Sequence, residues 1–129
     1  MKACVFGRAI LAGYAECHRS GRSLEAEREA TTCTHDPARE QCRLVHENLC
    51  RGARFAWHLR ADAPWPFGRE MRVQCGGIVA IAEVTGWRQV APDIDRMLAN
   101  APRDETGAPA LAYERLVRSI AAFRPRGAR

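Results

Sequence analysis

The chain is expected to be mainly α, a small helical bundle of about five or six helices. Three observations predict this. Apolar residues recur at steps of three and four in separate stretches, and helix-starting signals stand before several of them. With 129 residues, 47% of them apolar, the chain can fill one ordinary core and is not a disordered polypeptide. No repeat or shift of composition divides it. Residues 1–123 therefore read as one α-helical cysteine-rich domain, and residues 124–129, at the end of "FRPRGAR", as a basic C-terminal tail.

Phe6, Ile10, Tyr14 and Cys17 lie on one face of a first predicted helix. "SGRS" breaks it, and Ser23 can cap a short second helix carrying Leu24 and Ala30. "THDP" offers Asp36 as N-cap and Pro37 at the first helical position, opening a third helix with an inner stripe of Ala38, Cys42, Val45 and Leu49. After Gly52, Phe55, Trp57 and Leu59 alternate with Arg54, Ala56, His58 and Arg60, the period of a strand. "DAPWPFG" is a loop pinned by Pro64 and Pro66.

The stretch "MRVQCGGIVAI" has two readings: a short β-hairpin of residues 54–60 and 71–75, or a helix from Arg69 to Val84 with Met71, Cys75, Ile78 and Ala82 on one face. The helix is preferred. Beyond "TGW", Pro92 opens a helix with Ile94, Met97 and Leu98, and a last helix is buried through Tyr113, Leu116, Ile120 and Phe123.

The net charge of +5 is carried almost entirely by arginine, with Lys2 the only lysine, and acidic residues are interleaved with it. That pattern is a solvated helix surface rather than a nucleic-acid footprint, and no specific nucleic-acid binding is expected. No run reaches the roughly 18 to 20 apolar residues of a membrane span. Arg8 interrupts the apolar start in place of an export signal. A cytoplasmic location follows, where cysteines are more often metal-binding, redox-active or buried than paired in disulfides.

The six cysteines therefore carry the chemistry. The sequence has no phosphate-binding glycine loop, no dinucleotide fingerprint, no HExxH, no GxSxG and no CxxC. Four cysteines fit a ligand set. Cys17 closes a helix on its inner face, Cys33 lies in the turn before the capped helix, Cys42 is on that helix's inner stripe, and Cys75 abuts Gly76 and Gly77. Four thiolates suit a tetrahedral zinc or a cubane iron–sulfur cluster. Gaps of fifteen, eight and thirty-two residues between them favour the 4Fe-4S cluster, because structural zinc usually draws ligands in close pairs.

In this reading Gly76 and Gly77 border the cofactor, their missing Cβ atoms letting backbone approach its sulfur. Cys4 and Cys50 lie off the stripes. Cys42, His46 and Cys50, four apart, could share a metal, although a solvated His46 is the simpler account. Cysteine also packs as a small apolar residue, so a metal-free core competes.

A cluster ligated wholly by cysteine leaves no open position. The expected role is electron transfer, redox sensing or service as an accessory subunit beside a protein partner such as a larger redox enzyme, rather than catalysis. The alternative is a zinc-stabilised or metal-free interaction module whose arginine-rich surface meets an acidic partner.

Overall fold

The computed structural model describes residues 2–25 and 28–124. The fold is mainly α with a small antiparallel sheet. Strand β1 (Lys2–Ala3) leads into α1 (Gly7–Leu11), followed by β2 (Ser20–Glu25) and β3 (Arg28–Cys33). The long α2 (Asp36–Ala56) precedes α3 (Phe67–Met71), which continues through a π-helical turn (Arg72–Gly76) into α4 (Gly77–Thr85). Helices α5 (Ile94–Ala99) and α6 (Tyr113–Ala122) complete the described chain. The predicted tail from residue 125 onward lies outside the described residues.

The sheet corrects the predicted second helix. Ser23, Leu24 and Ala30 lie in β2 and β3, which pair antiparallel, and Leu24 is 78% exposed rather than facing a core. The Glu- and Arg-rich residues there have helix propensity, but strand pairing satisfies the backbone and overrides it. The first helix is also shorter than its spacing implied. Gly13 takes a positive φ of 83° just after α1, so Tyr14 and Cys17 lie beyond the helix.

Helix α2 begins one residue earlier than predicted. His35 is the N-cap, its Nδ1 accepting from the Ala38 N–H at 3.1 Å, and Asp36 is the first helical residue, where its charge complements the helix dipole. Ala38, Val45, Leu49 and Ala53 form the buried stripe. Gly52 does not end this helix. A Cβ there would stand 2.5 Å from Val117 Cγ2, so the glycine marks where α6 crosses close to α2.

No hairpin joins residues 54–60 and 71–75. Residues 54–56 are the last turn of α2, and residues 71–75 are helical, in agreement with the preferred reading. The alternation that implied a strand has Phe55 85% exposed, and aromatic residues at such spacing do not define a face without a sheet to bury them. Helix α4 ends at Gly86, whose φ of 79° is the left-handed conformation that closes helices, with the Trp87 N–H returning to the Ala82 carbonyl at 2.9 Å.

The core lies among α2, the π-turn, α4, α5 and α6, with Phe6, Leu49, Val73, Ile78, Ile81, Met97, Leu98, Leu116 and Ile120 fully buried. Each such side chain contributes about 1.5–3 kcal/mol. Gly76 and Gly77 serve this core. A Cβ on Gly76 would lie 3.0 Å from Phe123 Cβ and 3.3 Å from Ile120 Cα, and one on Gly77 would lie 2.8 Å from Leu49 Cδ1. Gly76→Ala is accordingly expected to destabilise the fold by about 1–3 kcal/mol in urea unfolding. Gly77→Ala should cost less, because the tip of Leu49 can turn aside whereas the α6 backbone cannot.

Candidate metal centre

One end of the sheet gathers cysteines. Strand β3 is central, and its last residue, Cys33, pairs with Lys2 on one side and Ser20 on the other. Cys4 follows β1 directly, its N–H donating to the Thr31 carbonyl at 2.9 Å. Cys17 precedes β2, where its carbonyl accepts from the Ser20 N–H and hydroxyl at 3.0 and 2.7 Å. Cys42, in the second turn of α2, closes the fourth side. Cys4, Cys17, Cys33 and Cys42 line one small cavity together with Val5, Ser20, Ala38, Arg39, Ile94 and Asp95. None of these cysteines is in a disulfide.

Of the four cysteines singled out in the sequence, Cys17, Cys33 and Cys42 line this cavity, and Cys4 lines it with them. Cys75 is 1% exposed within the π-turn, in the core, and does not line the cavity. Gly76 and Gly77 stand with it at helix crossings. Sequence reasoning passed over Cys4 because it lies off the helical stripe near the terminus. The available signal was the β-branched Thr31–Thr32 pair before Cys33, which marks a strand whose neighbours would carry Cys4 and Cys17 to its end.

The segment holding Cys17 is tied to the start of α5. The Glu16 N–H donates to the Pro92 carbonyl at 3.0 Å, and the Glu16 carbonyl accepts from the Ile94 N–H at 2.9 Å. Asp93, the N-cap of α5, accepts from the Arg96 N–H at 3.1 Å and the His18 N–H at 2.8 Å, and its carboxylate also meets His18 Nδ1 at 3.1 Å. Arg19 Nε donates to Asp95 at 2.8 Å. On the other side, Arg39 Nε donates to the Ala3 carbonyl at 2.8 Å, fixing α2 against β1.

Backbone N–H groups are aimed at the sulfurs, those of Arg19 and Asp95 at Cys17 and that of Phe6 at Cys4. Burial nevertheless dominates the thiols. It pushes Cys4 up to about 11 and raises Cys17 and Cys42, and the neighbouring sulfurs add to the rise in Cys4 and Cys42. A bound cation would reverse this balance, favouring the thiolate over the thiol.

Sulfur spacing bears on the occupant. Tetrahedral zinc, with Zn–S of about 2.3 Å, holds its thiolates about 3.8 Å apart. Among the described residues, the sets of three ligand atoms within 4.8 Å of one another are Cys17–His18–Asp93 and His46–Cys50–Glu70, so no three of the four cavity sulfurs approach that closely.

The second of those sets lies apart from the cavity, between α2 and α3. Glu70 meets His46 Nε2 at 2.5 Å, and Cys50 Sγ is 3.5 Å from the same nitrogen. Burial pulls the His46 pKa down, but Cys50 and Glu70 outweigh it and bring it up to about 10; burial raises Glu70, yet its donors, His46 foremost, hold it below the usual carboxylate range.

Asp93 is the positioning residue for Cys17. Replacing it with Ala removes the α5 cap and the His18 tether, with an expected stability loss of about 1–2 kcal/mol in thermal or urea unfolding. Asp93→Asn, which still caps, should recover most of that loss.

No protein-family model, no curated protein and no solved structure matches this chain.

Proposed function

We propose that Cys4, Cys17, Cys33 and Cys42 bind a 4Fe-4S cluster, and that the protein acts in electron transfer or redox sensing, or as an accessory subunit of a larger redox enzyme. The observation that carries this reading is the convergence of four cysteines from four separate segments on one cavity. Two features support it. The sulfurs are spread more widely than a single zinc ion would hold them. Backbone N–H groups already point at Cys4 and Cys17, the kind of donor that tunes cluster sulfur.

The site sits on the sheet end of what is read as a small helical bundle, and a reducing cytoplasm would keep its thiols available. Among the described residues no helix is long and apolar enough to cross a membrane. With all four ligands supplied by cysteine, the cluster has no open position, so its partner is a protein that gives or takes electrons rather than a substrate.

One observation favours a second reading, a zinc-stabilised interaction module with an acidic partner. The cavity encloses only about 10 Å³, room for a single ion or water, so a cluster requires the cysteine side chains to turn outward.

Protein purified without oxygen is expected to be brown, with broad absorbance near about 400 nm from thiolate-to-iron charge transfer. Serine at position 4, 17, 33 or 42 should lose most of the metal, because a hydroxyl is a poor ligand for a soft centre, whereas Cys75→Ser and Cys50→Ser keep the colour. Colourless protein holding zinc that the serine variants at positions 4, 17, 33 and 42 lose would select the second reading, and folded protein with no metal that depends on these cysteines would remove both.

Metal uptake at this site should also be pH-dependent in a defined direction. The raised thiols are protonated at neutral pH and must ionise to ligate, so binding releases protons and tightens as pH rises. For each proton released, apparent affinity should gain about tenfold per unit between pH 6 and 8, measured by chelator competition.

A further inference from the structure

We propose that His46, Cys50 and Glu70 form a second, separate site for a divalent transition-metal ion of zinc-like chemistry, with an open coordination position. The set is mixed, one nitrogen, one sulfur and one oxygen, which is the ligand chemistry of zinc and of its cobalt surrogate. His46 and Cys50 are one turn apart on α2, where i and i+4 side chains are neighbours, and α3 brings Glu70 across to them. The three ligand atoms already lie within 4.8 Å of one another, without rearrangement of the backbone.

The surroundings hold these side chains in place. Trp65 Nε1 donates to Glu70 Oε2 at 3.0 Å and Gln74 Nε2 to Glu70 Oε1 at 3.2 Å, so both carboxylate oxygens are oriented from behind. Gln74 is itself fixed, its Oε1 accepting from the Ala9 N–H at 3.1 Å. The Phe6 ring packs edge-to-face with the His46 imidazole at 5.8 Å between centroids. Metal-ligating carboxylates and histidines are typically held by such outer partners. A bound ion replaces the hydrogen bond between His46 Nε2 and Glu70 and takes Cys50 as its thiolate ligand; protons displaced from the ligands leave to solvent, and no oxidation or reduction is involved.

Three protein ligands leave a fourth position for water or a small anion, the arrangement found in catalytic rather than structural zinc sites. The site stands independently of the cysteine cavity, since the two share no residue.

The test is a zinc titration of the full chain after chelator treatment, with bound metal counted by elemental analysis. The unaltered protein is expected to bind one more zinc ion than Cys50→Ser or His46→Gln. Cys42→Ser, which touches only the cysteine cavity, is expected to keep that extra ion. Cobalt in its place should give thiolate charge-transfer absorbance that Cys50→Ser reduces. A measurement on the unaltered protein guards against variants that fail to fold. Zinc should slow alkylation of Cys50 by iodoacetamide, mapped by peptide mass spectrometry, at least about tenfold, because the nucleophilic thiolate is then held by the metal. Equal zinc counts in unaltered protein and Cys50→Ser, or alkylation of Cys50 that zinc leaves unchanged, would overturn the inference. Loss of the extra ion in Cys42→Ser but not in Cys50→Ser would overturn it too, by assigning that ion to the cavity.

Discussion

The pairing of β3 between β1 and β2 is the constraint on which the cysteine site depends. Cys33 ends the central strand opposite both Lys2 and Ser20, so the chain segments just after β1 and just before β2 must emerge beside it. Those segments carry Cys4 and Cys17. A one-residue slip of either edge strand would turn every side chain of that strand to the other face. Hydrogen bonds beyond the ladder hold this end in register, including Cys4 N–H to Thr31 and Thr34 N–H to the Arg19 carbonyl at 2.9 Å. Helix α2 starts immediately after the strand, and its His35 cap sets the angle at which Cys42 arrives.

The helical core is built on a different device, close approach without Cβ atoms. Gly52 admits Val117 of α6, Gly76 admits Phe123 and the α6 backbone, and Gly77 admits Leu49 of α2. Glycine in a helix costs roughly 0.5–1 kcal/mol against alanine. The cost is offset where it lets three helices bury Leu49, Leu116 and Ile120 completely. The π-turn at Arg72–Gly76 belongs to the same arrangement, placing Val73, Gln74 and Cys75 inward together. The cysteine cavity adjoins this core, with Ile94 in both and Cys4, Cys17 and Cys42 packed against it, and a core of this size does not need a metal in order to form in the way that of a much smaller domain would.

Much of the helical part was legible because its signals are local. The stripes of α2 and α6, the helix start around Pro37 and the short helix after Pro92 are each written within a turn or two of sequence. The sheet was not legible, since Ser20–Glu25 and Arg28–Cys33 contain strong helix formers and show their strand character only when paired. The cavity's lining was hidden for the same reason: with residues 23–30 taken as helix, Cys4 had no reason to approach Cys33, and Cys75 beside two glycines was grouped with Cys17, Cys33 and Cys42 instead. Those glycines answer to Phe123, Ile120 and Leu49, contacts more than twenty residues away that no local pattern contains.

The same limit explains how α2 divides its polar face. Cys42, His46 and Cys50 stand four residues apart and read as one column. An α-helix turns about 100° per residue, so each step of four drifts about 40° and the outer two members differ by about 80° and stand about 12 Å apart along the axis. A single ion cannot span that distance. The column is therefore split by what lies across from each level of the helix. Cys42 faces the sheet end and joins Cys4, Cys17 and Cys33, whereas His46 and Cys50 face α3 and meet Glu70. Spacing along a helix gives a side chain its direction, and the element packed opposite decides its chemistry.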